Sequence, residues 1–255
     1  FHAADEVARR LEHSGFTIHD EKDAWDAAPG GHVMVRGGAV MAWYVPEGAG
    51  AESAFRIVGA HTDSPGFSVK PNPDSTRSGW DQVAVEVYGG PIIRSWFDRE
   101  LTLAGRVVTR DGRERLVSTG PIARIPNLAI HLERTNDFTP NLQEHLQPIL
   151  SAHDASAPAF SPVRTALATA ADLCPEDIVS FELITADTQH GEYFGPDGQF
   201  FAAGRMDNLS SVYAGMRAME RASASAAQTS DVLVLAAFDH EEVGSASRAG
   251  AAGPI

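Results

Sequence analysis

The chain opens with apolar residues at Ala4, Val7, Ala8 and Leu11, the spacing of one face of a helix, and this pattern closes at Gly15, a residue suited to a helix C-terminus. HVMVR and AVMAWYV then flank Gly37-Gly38 and predict a hairpin. Phe55–Ala60, FRIVGA, predicts a buried strand that ends in His61-Thr62-Asp63-Ser64-Pro65. Near the end of the chain Asn208–Ala222 predicts a helix, with Leu209, Val212, Tyr213, Met216 and Met219 on one face. An Ala/Ser loop leads from it to a second buried strand, Val232–Phe238, which runs into Asp239-His240-Glu241-Glu242 and a helix start near Ser245.

Between these flanks the pattern changes. Val83–Tyr88 alternates with period two, and LTLAGRVV and RERLVS flank Asp111-Gly112, a second hairpin signal. Two helical patterns, Asn141–Leu150 and Val163–Leu173, stand on either side of an Ala/Ser/Pro-rich link, and Ile178–Ile184 predicts another strand. The expected architecture is an α/β domain interrupted by an inserted, mostly β domain. Residues 1–74 and 191–255 form the two parts of the first and residues 75–190 form the second. The chain starts directly in a helix pattern and stops just after another begins, so a fragment of a longer protein is expected.

Composition narrows the function classes. Lys plus Arg number 20 against 34 Asp plus Glu, a net charge of −14 with no basic stripe, which argues against a nucleic-acid partner. No apolar run approaches the ~20 residues that span a bilayer, so no membrane partner is expected. Cys174 is the lone cysteine, which excludes an internal disulfide and fits a reducing, cytoplasmic setting.

Three polar clusters sit at the ends of apolar segments or at a helix start: His61-Thr62-Asp63, Asp207-Asn208 and His240-Glu241-Glu242. Taken singly each has an ordinary explanation. His61 is a loop histidine, Asp207 a helix cap, and Glu241 and Glu242 are first-turn acids favoured by a helix dipole. Taken together they suit a metal better. Sites in open α/β sheets form at the carboxyl ends of strands. Histidine and carboxylates ligate zinc, and two-metal hydrolases use a carboxylate to bridge the ions. A dication also offsets two adjacent carboxylates that would otherwise repel beside a core. HEEVG lacks the second histidine of H-E-x-x-H, and the glycine spacing around Ser247 is not that of G-x-S-x-G.

GAHTDSPGFSVKP (59–71), SWFDRELTLAGRV (95–107), IPNLAIHLER (125–134), GRMDNLSSVYAGM (204–216) and FDHEEVGSAS (238–247) occur in this order. As a set they resemble the aspartyl aminopeptidase family of co-catalytic zinc aminopeptidases. The resemblance implies a zinc-aminopeptidase-like αβα domain interrupted by a dimerisation domain, two zinc ions per site, and self-association through the inserted domain into a tetrahedral dodecamer. It implies that His61 ligates one zinc, that Asp63 orients His61, and that Asp207 bridges the ions. It further implies that Glu241 is the general base and Glu242 a ligand of the other zinc, with His240 a bystander. His131, which would otherwise read as structural, resembles a histidine that reaches a neighbouring subunit's site and binds substrate. A cis Asp207–Asn208 peptide is implied as well. The family's further ligating Asp and His would fall beyond residue 255, so this stretch would hold part of the ligand set. The expected reaction is removal of N-terminal, acidic residues from peptides. The alternatives are a related dizinc aminopeptidase or deacylase of other specificity, and a non-catalytic assembly subunit.

Overall fold

The structure is a computed structural model and describes residues 1–26, 28–134, 139–156, 161–225 and 229–254. The Ala/Ser-rich loops therefore fall in part, at 157–160 and 226–228, outside the described residues. In chain order the elements begin with α1 (His2–His13), β1 (Thr17–His19), β2 (Gly30–Arg36), β3 (Ala39–Val45), β4 (Phe55–His61), β5 (Gly66–Arg77) and β6 (Trp80–Tyr88). Next come β7 (Glu100–Thr109), β8 (Glu114–Ser118), β9 (Ala123–Arg124), β10 (Ile149–Ala152), α2 (Pro162–Ala171) and β11 (Ile178–Asp187). The chain finishes with β12 (Glu192–Phe194), β13 (Phe200–Ala202), α3 (Met206–Ala224) and β14 (Val232–Phe238).

The chain divides into two compact units, Phe1–Ser64 with Arg205–Ile255, and Pro65–Gly204. The intervening unit is thus wider at both ends than the expected 75–190. At its start the cause is β5, which pairs with β6 from Gly66 to Val69 and, beyond a register shift, from Asp74 to Arg77. At its end the β12–β13 hairpin extends the unit.

The first unit is an α/β fold around a five-stranded sheet in the order β1-β2-β3-β14-β4. β14 lies parallel to β4 and antiparallel to β3. Ala4, Val7, Ala8 and Leu11 of α1 and Val212, Met216 and Met219 of α3 pack with Val33, Val40, Ala42 and Leu235 of the sheet. The expected burial of Phe55–Ala60 needs correction. β4 is the edge strand, and Phe55, Ile57 and Val58 are exposed.

The second unit is a seven-stranded sheet in the order β11-β5-β6-β10-β9-β7-β8, closed by further pairing of β11 with β7. Its interior holds Phe67, Val83, Leu101, Leu103, Ile125 and Leu146, covered by Val163 and Leu167 of α2. Closure brings backbones close at Gly105, which pairs with Leu183, and a Cβ there would stand 2.0 Å from the Glu182 carbonyl oxygen. A carbonyl in a continuous ladder cannot retreat. Gly105→Ala is expected to cost about 3 kcal/mol, the upper part of the overpacking range, read as a lower urea midpoint at unchanged m value.

Two helix expectations differ from the structure. Asn141–Leu150 is a turn followed by β10, because Pro148 interrupts the apolar period of Leu142, Leu146 and Leu150. The Gln147 side chain there completes the sheet instead, accepting from Val85 N–H at 2.7 Å and donating to Val85 O at 3.3 Å. Ser245 starts no helix, since Gly244 and Ser245 both have positive φ, 98° and 61°.

Candidate active site

The parallel pairing of β4 with β14 sets Phe238 level with His61. Two neighbouring strands therefore end together, and the loops that leave them carry the polar clusters. Thr62 stitches the two exits: its N–H donates to Phe238 O at 2.8 Å, and its hydroxyl donates to Gly38 O at 2.7 Å. Gly38 must lack a side chain, because a Cβ would stand 2.1 Å from Oδ2 of buried Asp239. His240 has φ +62°, a left-handed kink that turns the chain into a 3-10 turn over Glu241–Val243.

Asp63 is the organising residue of the cluster. One carboxylate oxygen accepts the Glu241 N–H at 3.2 Å and the other the Glu242 N–H at 3.1 Å, so a single buried side chain holds the backbone of both glutamates. The same carboxylate lies 3.3 Å from His61 Nδ1, and Nδ1 lies 3.1 Å from the Asp63 carbonyl oxygen. A carbonyl can only accept, so Nδ1 donates to it and Nε2 is the ring nitrogen turned into the cluster. Nε2 faces Asp207 Oδ1 at 3.4 Å and Glu241 Oε2 at 3.9 Å. Asp207 lies at the start of α3, where the Asp207–Asn208 peptide is cis and both residues depart from helical φ/ψ. Its carbonyl oxygen accepts the hydroxyl of buried Ser64 at 3.2 Å.

Ligand atoms of His61, Glu241 and Glu242 all lie within 4.8 Å of one another. A cation among these carboxylate oxygens and the Nε2 of His61 would offset the repulsion between the carboxylates and be ligated by them. Burial pushes the Glu242 carboxyl up from its ordinary value. The Asp63 carboxylate, and then Glu241 and Asp207, add to that effect, while His61 opposes it. The donor set of one imidazole and several carboxylates fits zinc.

Four of the six residues singled out in the sequence, His61, Asp207, Glu241 and Glu242, converge here, and Asp63 binds them together. His131 belongs to the other unit, where it stands exposed on a turn. The backbone clamp of Asp63 on Glu241 and Glu242 and the support from Ser64, Thr62 and Gly38 were not foreseen. Thr62, Asp63 and Ser64 are marked in the sequence by adjacency to His61, and Gly38 by its place in a hairpin signal.

Fold and site define the class: an α/β unit with a histidine–carboxylate cluster that could hold a metal ion at the carboxyl ends of two parallel strands. The chain belongs to the family described as aminopeptidase I zinc metalloprotease (M18), whose profile matches residues 1–255. It is 48% identical over 263 residues to a probable M18 family aminopeptidase 2 of Streptomyces coelicolor, covering all of this chain and 60% of that protein. A protein of the same description from Pseudomonas putida strain GB-1 is 42% identical, with 61% of it covered. The chain thus spans about 60% of the length of these relatives. Among solved structures it is similar to the cryo-EM structure of the Ape4 and Nbr1 complex, with TM-score 0.91 and 31% identity over 99% of this chain and 54% of that one. It is also similar to Chaetomium thermophilum mApe1, with TM-score 0.90 and 26% identity over 100% of this chain and 62% of that one. The S. cerevesiae mApe1 dodecamer shares the fold, with TM-score 0.81 and 24% identity over 97% of this chain and 58% of that one.

Proposed function

We propose that these residues belong to a zinc aminopeptidase that removes N-terminal, acidic residues from peptides. The observation that carries the reading is the convergence of His61, Glu241 and Glu242 where β4 and β14 end. His61, Asp207 and Glu242 would hold the zinc. When bound, the metal supplies Lewis-acid activation of water and of the scissile carbonyl. Glu241 takes the proton of the attacking water as its oxygen bonds to the carbonyl carbon, then returns that proton to the leaving amine as the C–N bond breaks. Asp63 fixes the His61 tautomer and holds the Glu241 backbone, so the base and the ligands keep one geometry.

His131 is the substrate-binding residue of this reading, presented from the second unit to the site of another copy. Self-association through that unit follows, with a tetrahedral dodecamer as the assembly, and a dodecamer is known for one solved protein of this fold. Among the described residues no helix is long and apolar enough to cross a membrane. A cytoplasmic setting remains part of the proposal and rests on the single cysteine.

The test is hydrolysis of a panel of aminoacyl substrates by the full polypeptide that carries these residues, loaded with zinc. Asp and Glu at the N-terminus are expected to give the highest kcat/KM, and an acetylated N-terminus is expected to block cleavage. Preference for an apolar or basic residue would overturn the specificity, and zinc uptake without any cleavage would overturn the enzyme reading.

A further inference from the structure

In the second unit one segment lies exposed along its whole described length. Every residue from 126 to 134 is exposed, including Leu128, Ile130 and Leu132 at 65%, 66% and 74%, so core burial does not fix the position of this stretch. Within it the Leu132 and Glu133 N–H groups donate to Ala129 O at 2.9 and 3.2 Å, closing a turn that carries His131. Just before it the chain is locked, with Ile125 fully buried and bridged to Phe97.

Asp98 spans the two regimes. Its own N–H donates to Ile125 O at 2.8 Å, while its Oδ1 accepts the Asn127 N–H at 3.0 Å and its Oδ2 accepts Asn127 Nδ2 at 2.8 Å. The residue has φ +59°, a conformation that Asp and Asn tolerate better than other side chains. The Asn127 bonds, backbone first, hold its carboxyl below the usual range, with Arg124 3.7 Å away adding to the effect, so the bonds are charge-assisted.

We propose that Asp98 is a positioning residue for substrate binding: by gripping Asn127 through both carboxylate oxygens it sets the base from which the 129–133 turn presents His131. The inference rests on the reading of His131 as a substrate-binding residue.

The test uses the zinc-loaded full polypeptide with three single variants and one double. Asp98→Gly keeps the left-handed backbone and removes both acceptors, Asp98→Asn keeps the backbone and one acceptor, and His131→Ala removes the presented group. Asp98→Gly is expected to speed amide exchange at Asn127 about tenfold or more, as loss of a charge-assisted bond would. It is also expected to raise KM about tenfold with little change in kcat. Asp98→Asn should recover most of both effects, and Asp98→Gly should add little in the His131→Ala background. Unchanged exchange at Asn127 overturns the anchor. A KM effect that adds in full to that of His131→Ala overturns action through His131. Faster exchange together with a His131→Ala protein of normal KM traces the failure to the His131 reading, and the substrate role falls with it.

Discussion

Glu241→Gln is expected to lower kcat by roughly 100- to 10,000-fold, the usual contribution of a positioned general base, while zinc content stays at its wild-type value. Gln keeps the length and one acceptor oxygen of Glu but cannot take a proton at neutral pH. The site separates the two glutamates by environment. Both backbones are held by Asp63, yet Glu241 is exposed while Glu242 is half-buried among carboxylates. The exposed carboxylate suits proton traffic with water, and the half-buried one suits a cation. Ligand atoms of Glu241 do lie within 4.8 Å of those of His61 and Glu242, so a ligand role for Glu241 is the competing assignment. Metal analysis of the variant beside its kinetics separates the two. Loss of zinc together with activity would make Glu241 a ligand, and activity within tenfold of wild type would exclude it as the base.

The strands that carry the site are legible in the sequence because they are mostly apolar runs followed at once by acid-base residues. Phe55–Ala60 ends at His61, and Val232–Phe238 ends two residues before His240. Their adjacency is not legible. It comes from the parallel pairing of two strands 170 residues apart in sequence, Phe238 with His61 among them, across the whole second unit. For the same reason the Asp63 clamp is invisible locally, since a carboxylate that caps backbone N–H groups at 241 and 242 leaves no spacing signal. β5 fails for another reason. Lys70–Arg77 is polar, with Pro71 and Pro73, and it joins the sheet through a register shift, so neither alternation nor propensity marks it. Asn141–Leu150 shows the opposite error, an apolar period of four read as a helix although Pro148 stands inside it.

Glu242→Gln is expected to reduce the stabilisation that zinc gives, and the pH dependence tells why. Burial and the neighbouring carboxylates raise the Glu242 carboxyl above its ordinary 4.5. The folded, metal-free protein therefore binds this proton more tightly than the unfolded chain does. Stability from the protonated group is complete below about pH 4.5 and is lost as pH rises through the higher folded value. Zinc removes the same penalty by replacing the proton, so its benefit is small near pH 4.5 and grows toward neutrality. At a hundredfold excess over its Kd, zinc adds about 2.7 kcal/mol, roughly 5–15 °C in Tm for a unit of this size. In Glu242→Gln the metal-free protein should be at least as stable as wild type at pH 7, because a half-buried charge among carboxylates is gone, yet zinc should raise its Tm by less than in wild type, since only the ion that His61 would hold remains. A residue that merely oriented a ligand would cost roughly 10- to 100-fold in affinity, which excess zinc overcomes. A full zinc shift in Glu242→Gln at high metal therefore assigns Glu242 an orienting role, whereas a shift that stays below wild type at every zinc concentration makes it a ligand.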